Sequence, residues 1–286
     1  MKKIFLIVAL AMSLSGVNII AQSSITYTKS GHGKPVIFLP ALSCNGSVWN
    51  SAVNELNKKF TCYEISIAGF GKSPLKGNFS LERISKDLIK LINEEKLQHP
   101  VLIGHSVSGF LALKTASENP GVFSKLIIVD SYPFAMASIN PAVTVEQAQQ
   151  QAAMIRNMYL KQTDDEFRKT EEMILPTLIS NKENIDTVLN WMTASNRNAI
   201  AEATYEMAST DLRNELKKID CKTLVIGTWK GKEQFGFTKE SAEKILNEQY
   251  KNLKDKKIII SDNSKHFIML DTPGWLNKQI TGFISE

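Results

Sequence analysis

Ten residues, Val101-Leu-Ile-Gly-His-Ser-Val-Ser-Gly-Phe110, narrow the fold more than any other part of the chain. The apolar run 101–103 reads as a short buried strand, and Phe110-Leu-Ala-Leu-Lys-Thr-Ala116 has the apolar spacing of a helix. Gly104, His105 and Ser106 must then turn the chain sharply between them. A serine at the tip of such a turn stands beside a helix N-terminus. Free N–H groups and a partial positive charge there favour a developing anion. The tight turn demands small neighbours, which Gly104 and Ser108 supply, with Gly109 following. A serine that merely caps a helix would fit the same residues, so the rest of the chain has to decide.

The flanking sequence alternates strands with helices. Strand-like runs lie at 25–28, 34–39, 62–67, 125–130, 222–229 and 257–261. Helical patterns run from Trp49 to about Phe60, over 80–95, from Phe110 to about Asn119, over 239–250, and on to Glu286. Alternation of this kind means a parallel sheet in an α/β fold. Between about 134 and 220 the alternation stops and four helices are expected, at 144–160, 164–179, 184–193 and 196–216. They carry Met154, Met158, Tyr159, Met173, Trp191, Met192, Tyr205 and Met207. These side chains are expected to pack a helical cap, a few of them lining an apolar pocket, since methionine adapts to varied shapes.

A length of 286 residues suggests one domain with a sizeable insertion. Lys2 and Lys3 precede an apolar run over 4–14, and Ile20-Ala21-Gln22 follows a polar stretch. Residues 1–21 therefore read as a signal peptide, too short in its apolar core for a comfortable membrane span. The expectation is export to the periplasm or medium, with no stable membrane span after cleavage; an uncleaved anchor is the alternative. Losing Lys2 and Lys3 lowers the net charge from +5 to +3. No basic stripe interleaved with aromatics is present, which argues against a nucleic-acid partner. Cys44, Cys62 and Cys221 have no metal-type spacing. Cys62 and Cys221 are expected to pack, Cys44 to sit in a loop where it could be exposed, and no bridge is expected.

The segment Gly104-His-Ser-Val-Ser-Gly109 resembles the nucleophile elbow of the α/β-hydrolase superfamily, usually Gly-x-Ser-x-Gly, with Ser108 departing at the last position. Three loops resemble the superfamily in the same order. Pro40-Ala41, with Trp49 nine positions beyond Pro40, stands where the family has His-Gly. Ala68-Gly-Phe-Gly-Lys-Ser73 is similar to its Pro-Gly-Phe-Gly-x-Ser loop, and Asn263-Ser-Lys-His266 to its histidine loop. Gly71-Lys72-Ser73 also matches the end of a nucleotide-binding P-loop, but Ser66 stands where that motif needs glycine and Pro74 interrupts the required helix. The resemblance covers roughly 25–286 and implies a mostly parallel, doubly wound sheet. Its core would be 22–133 and 221–286, with a helical cap at 134–220 inserted after the strand ending at Asp130.

The resemblance also implies a chemistry. Ser106 would be the nucleophile, and in the family order Ser, acid, His, the base would be His266. His32 and His99 precede the elbow, and His105 should point away from its neighbour. The acid is open between two positions. Its usual place holds Lys230, with Glu233 the nearest carboxylate, whereas some relatives place it one strand earlier, where Asp130 lies 24 residues beyond Ser106. Asp130 is favoured. Asp262 and Asp271 read as surface or loop residues. The backbone N–H groups of Leu42 and Val107 would form the oxyanion hole. The expected activity is hydrolysis of an ester, thioester or amide of a small molecule with an apolar portion, without metal or organic cofactor. Serine rather than aspartate at 106 argues against dehalogenase or epoxide-hydrolase chemistry. Two alternatives share the scaffold. One is a ligand-binding protein like the hydrolase-type receptors related to strigolactone perception. The other is a cofactor-free perhydrolase.

Overall fold

A computed structural model describes residues 23–233 and 236–286. The proposed signal peptide lies outside the described residues. Seven strands form one sheet: β1 Ile25–Gly31, β2 Lys34–Leu39, β3 Phe60–Ile67, β4 Val101–His105, β5 Lys125–Val129, β6 Lys222–Thr228 and β7 Lys256–Ser261. Their order is β1-β3-β2-β4-β5-β6-β7. β1 runs antiparallel to β3, and all other neighbours are parallel.

Both faces of the sheet are buried, which is why the central strands are apolar at successive positions rather than alternating with polar ones. Val36, Phe38, Ile103, Ile127, Val129, Leu224 and Ile226 point to one side. Helices α1 (Asn50–Leu56) and α10 (Pro273–Ser285) cover that side with Val53, Leu56, Leu276 and Ile280. Ile37, Leu39, Leu102, Leu126, Ile128 and Val225 point to the other. There they meet α2 (Leu81–Glu94), α3 (Val107–Glu118) and α8 (Lys239–Gln249). The stripe Ile84, Leu88, Leu91 and Ile92 seats α2, and the Ser80 hydroxyl accepts the Arg83 N–H to start it.

Four helices separate β5 from β6: α4 Val145–Lys161, α5 Asp164–Leu178, α6 Lys182–Ala194 and α7 Arg197–Ser209. Each begins on a residue that can hold its first free N–H groups. Thr144 with Gln147, and Thr163 with Glu166, form reciprocal capping boxes, while Asn181 and Asn196 each accept two backbone N–H groups. α4 packs on α7, and α5 on α6.

The structure corrects several expectations. The helix expected over 196–216 stops at Ser209, because the Leu212 N–H goes to Pro133 O and the Asp211 side chain takes the Arg213 N–H. A separate 3-10 turn, Glu215–Lys218, follows. The helix expected to reach Phe60 ends at Leu56, since Phe60 pairs with Lys34 as the first residue of β3. Cys44 is fully buried rather than exposed, and all three thiols are free. Met154, Met158 and Met173 lie on the outer surface of the cap instead of packing it.

Candidate active site

The strand order reverses between β2 and β4, and ligands of open parallel sheets bind in the crevice at such a switch point. Leu42 lies just beyond β2 and Ser106 directly beyond β4. Ser106 adopts φ 55°, ψ −124°, a backbone conformation that costs a residue with a side chain about 1–3 kcal/mol. Its surroundings hold it there. Its N–H donates to Val129 O at 3.0 Å, and its carbonyl accepts from Gly109 and Phe110 at 2.8 and 3.1 Å. A Cβ on Gly104 would come within 2.2 Å of Ser108 O, and one on Gly109 within 2.5 Å of Ser131 Cβ. Both glycines of the turn are therefore held to a hydrogen in place of a side chain.

His266 follows β7 in a loop fastened on several sides. Its Nδ1 lies 2.6 Å from Asp130 Oδ2. Its carbonyl accepts from His105 Nε2 at 3.0 Å. The N–H of Phe267 donates to Leu178 O at the end of α5, and the N–H of Lys265 to Asp271 Oδ2. Asp271 also takes the Ser180 N–H and hydroxyl, so it ties the cap to the histidine loop rather than standing free on the surface. The Thr228 hydroxyl donates to the Ser264 carbonyl, and the Ser261 and Ser264 hydroxyls bond to each other, which fastens the loop to the ends of β6 and β7.

Asp130 stands at φ 39°, one residue past β5, with its N–H bonded to Ile226 O at 2.7 Å. Its side chain is 1% exposed. Oδ1 accepts the Thr228 N–H at 3.3 Å, and Lys232 Nζ lies 3.9 Å from Oδ2. Burial pushes this carboxyl up, but Lys232 and then the hydrogen bond from His266 outweigh it and hold the group at about 2. Glu233 lies elsewhere. It is exposed, accepts from the Gly231 N–H and pairs with Lys230 at 3.4 Å. The two carboxylates left open by the sequence are therefore separated by geometry: Asp130 meets His266, and Glu233 serves its own turn.

His105 does point away from Ser106, and it has work of its own. The ring is fully buried, 4.5 Å from the His266 ring centroid, and edge-on to Trp49 and Phe267. A carbonyl can only accept, so Nε2 carries the proton and Nδ1 is bare and unpartnered. Burial pushes this imidazole well below its ordinary range and keeps it neutral.

The N–H groups of Leu42 and Val107 have no acceptor among the described residues. Val107 opens α3, so its N–H faces away from the helical ladder. The loop carrying Leu42 lies against the cap. The Ser195 hydroxyl, between α6 and α7, donates to Trp191 O at 2.8 Å, lies 3.3 Å from Ser43 O and accepts the Gly71 N–H at 2.8 Å, and the Asn196 N–H meets Gly69 O at 2.8 Å. Among the described residues no cluster of His, Cys, Asp and Glu converges as a metal site, and no helix is long and apolar enough to cross a membrane.

The family description "alpha/beta hydrolase fold" matches residues 34–184, more than half of the chain. This chain belongs to the α/β-hydrolase fold family. Among curated relatives, a pimeloyl-[acyl-carrier protein] methyl ester esterase of Aeromonas hydrophila is 30% identical over 116 residues, which is 40% of this chain and 44% of that protein. The esterase of the same name from Citrobacter koseri is 26% identical over 156 residues, 54% of this chain and 56% of that protein. The chain thus aligns with only about half the length of these two relatives. An esterase from Exiguobacterium antarcticum superposes with a TM-score of 0.75 at 17% identity, over 92% of this chain and 96% of that one, a likeness of fold.

Lys232, His105 as an anchor for the histidine loop, and Asp271 were not singled out for these roles by the sequence. Lys232 lies two positions past Lys230, in a turn whose path no local pattern sets. Only the adjacency of His105 to Ser106 offered a signal.

Proposed function

We propose that this chain is an exported serine hydrolase that cleaves an ester of a small molecule with an apolar portion, through Ser106, His266 and Asp130. The observation that carries the reading is the 2.6 Å contact between His266 Nδ1 and Asp130 Oδ2, on a loop anchored to the residue preceding a strained Ser106. A serine hydroxyl needs a base, and the base needs an acceptor that fixes its tautomer. With Nδ1–H donated to Asp130, Nε2 is left as the proton acceptor.

In this reading Ser106 Oγ attacks the ester carbonyl carbon while His266 Nε2 takes its proton. The oxyanion is held by the N–H groups of Leu42 and Val107, each worth about 3–4 kcal/mol in comparable sites. The C–O bond to the alcohol breaks, and His266 returns the proton to the leaving oxygen. Water then attacks the acyl-enzyme and gives a proton to His266 Nε2; the acyl C–Oγ bond breaks, His266 passes that proton to Ser106 Oγ, and the acid leaves. The curated relatives named as methyl ester esterases favour an ester over an amide or thioester. Export rests on the sequence of residues 1–21.

The test is steady-state hydrolysis of short- to medium-chain nitrophenyl esters by the wild type, Ser106→Ala, Asp130→Asn and Glu233→Gln, each checked for folding. Loss of turnover in the first two variants and retention in the third is expected. A folded wild type that turns over no ester, or releases a single equivalent and stops, would favour the ligand-binding reading instead. Export is tested separately, by fractionating cells that express the full chain and sequencing the N-terminus of the product.

A further inference from the structure

Asp130 Oδ2 faces two nitrogens. His266 Nδ1 lies at 2.6 Å and Lys232 Nζ at 3.9 Å. Lys232 comes from the segment after β6. Its own N–H donates to Trp229 O at 3.3 Å, and its ammonium lies 5.8 Å from the Tyr132 ring centroid. The titratable groups facing Asp130 come from every element around it. They are His105 at the end of β4, Tyr132 beyond β5, Lys232 beyond β6, Tyr250 at the end of α8, and His266 beyond β7. His105 and the two tyrosines are held neutral by burial. Lys232 is therefore the permanent cation of this set among the described residues, and the charge of Asp130 reinforces its protonated form.

A carboxyl buried this deeply, with no counter-charge, takes up a proton. A protonated Asp130 would be able to donate to His266 Nδ1 instead of accepting from it, leaving the proton of the neutral ring on Nε2, the wrong nitrogen for a base facing Ser106.

We propose that Lys232 is a positioning residue for Asp130 and His266: its ammonium holds the buried carboxylate ionised and thereby fixes the imidazole tautomer that Ser106 needs. The inference rests on the hydrolase reading above and adds to it a residue that touches no substrate.

The experiment compares Lys232→Met, Lys232→Gln and Lys232→Arg with the wild type in two ways. The first is kcat/KM on a nitrophenyl ester against pH. In both uncharged variants the acid limb moves to higher pH, by roughly half a unit to one unit, and Lys232→Arg returns it to the wild-type position. The second needs no substrate: acid unfolding followed by tryptophan fluorescence. Asp130 has a depressed value of about 2 in the folded chain, so its stabilising contribution is present above its unfolded value and lost as pH falls through about 2. Removing the cation raises the folded value, so the uncharged variants unfold at higher pH than the wild type.

An acid limb that stays in place in both uncharged variants would overturn the proposal. So would a limb displaced equally by arginine, which would show that only packing of the turn matters. Failure of the hydrolase reading looks different: turnover would survive Ser106→Ala, while the acid-unfolding comparison would still judge the Lys232–Asp130 contact.

Discussion

His266 Nδ1 and Asp130 Oδ2 are 2.6 Å apart although 136 residues separate them in the chain, and the whole cap lies in that interval. The contact exists because β5 and β7 flank β6, so the loops beyond both strands end over the same strand tip. Asp130 also takes the Thr228 N–H at the end of β6, which fixes the carboxylate before the histidine arrives. Asp130→Asn keeps the shape of the acid but can offer Nδ1 a donor in place of an acceptor. It is expected to lower kcat by roughly 10³–10⁴-fold with little change in KM. Glu233→Gln, at an exposed turn, is expected to stay within about twofold of wild type. Nitrophenyl ester kinetics on both variants check the pair, and equal losses would remove Asp130 from the assignment.

The backbone of Ser106 sets stability against activity. Its φ of 55° is a conformation that glycine adopts freely and other residues do not. Ser106→Gly is expected to raise the unfolding free energy by about 1 kcal/mol while abolishing turnover. Gly104→Ala goes the other way, because its new Cβ would meet Ser108 O at 2.2 Å and neither backbone can yield. A loss of more than about 3 kcal/mol is expected there. Urea denaturation of both variants measures the two signs.

How much of this could be read from the chain depends on where each signal resides. The elbow was legible because small residues, a strand and a helix must coincide within ten positions, and nothing remote decides that. The central strands were legible because burial on both faces makes them continuously apolar. Ser106 and His266 were picked out by the order Ser, acid, His that the family resemblance implies. Spacing from Ser106 favoured Asp130 over Glu233 without excluding the latter, since either lies on a loop near the right end of the sheet. Side-chain contacts place them apart: Asp130 Oδ2 meets His266 Nδ1, and Glu233 accepts from the Gly231 N–H and pairs with Lys230. Cys44, a loop cysteine in the sequence, is buried under the helices that cover β2, and the helix expected over 196–216 breaks where Pro133 captures the Leu212 N–H. Those are tertiary contacts without a local pattern.

His105 is expected to act through the backbone of His266. Its Nε2–H is the donor that holds the His266 carbonyl, and its ring fills the space between Trp49 and Phe267. His105→Phe keeps the filling and removes the donor. A buried carbonyl left without its partner costs about 1–3 kcal/mol. The histidine loop then loses one of its fastenings, so kcat is expected to fall by roughly tenfold with KM held. Thermal unfolding and steady-state kinetics on the same preparation test the two effects. An unchanged kcat with lowered stability would make the ring a core residue only.

Glu171 gives the cap a pH dependence of its own. It sits on the inward face of α5 between Phe167 and Leu175, is 2% exposed, and its Oε1 has no partner. Burial pushes this carboxyl up to about 7, although Arg197 works in the opposite direction. The folded value lies above the unfolded one, so the unfolded chain ionises first as pH rises. Stability is therefore full below about pH 4.5, declines between there and about pH 7, and is flat beyond. Arg197, whose Cζ lies 3.6 Å over the Phe167 ring, and Tyr159 act on Glu171 directly, and Arg197 is itself paired with Asp164 at 3.1 Å. Glu171→Gln resembles the protonated side chain at every pH. It is expected to match wild type near pH 4.5 and to exceed it by about 1–3 kcal/mol at pH 8. Denaturant midpoints at the two pH values decide it: a gain that is the same at both would place the effect in packing, and no gain at pH 8 would mean that Glu171 ionises without cost inside the cap.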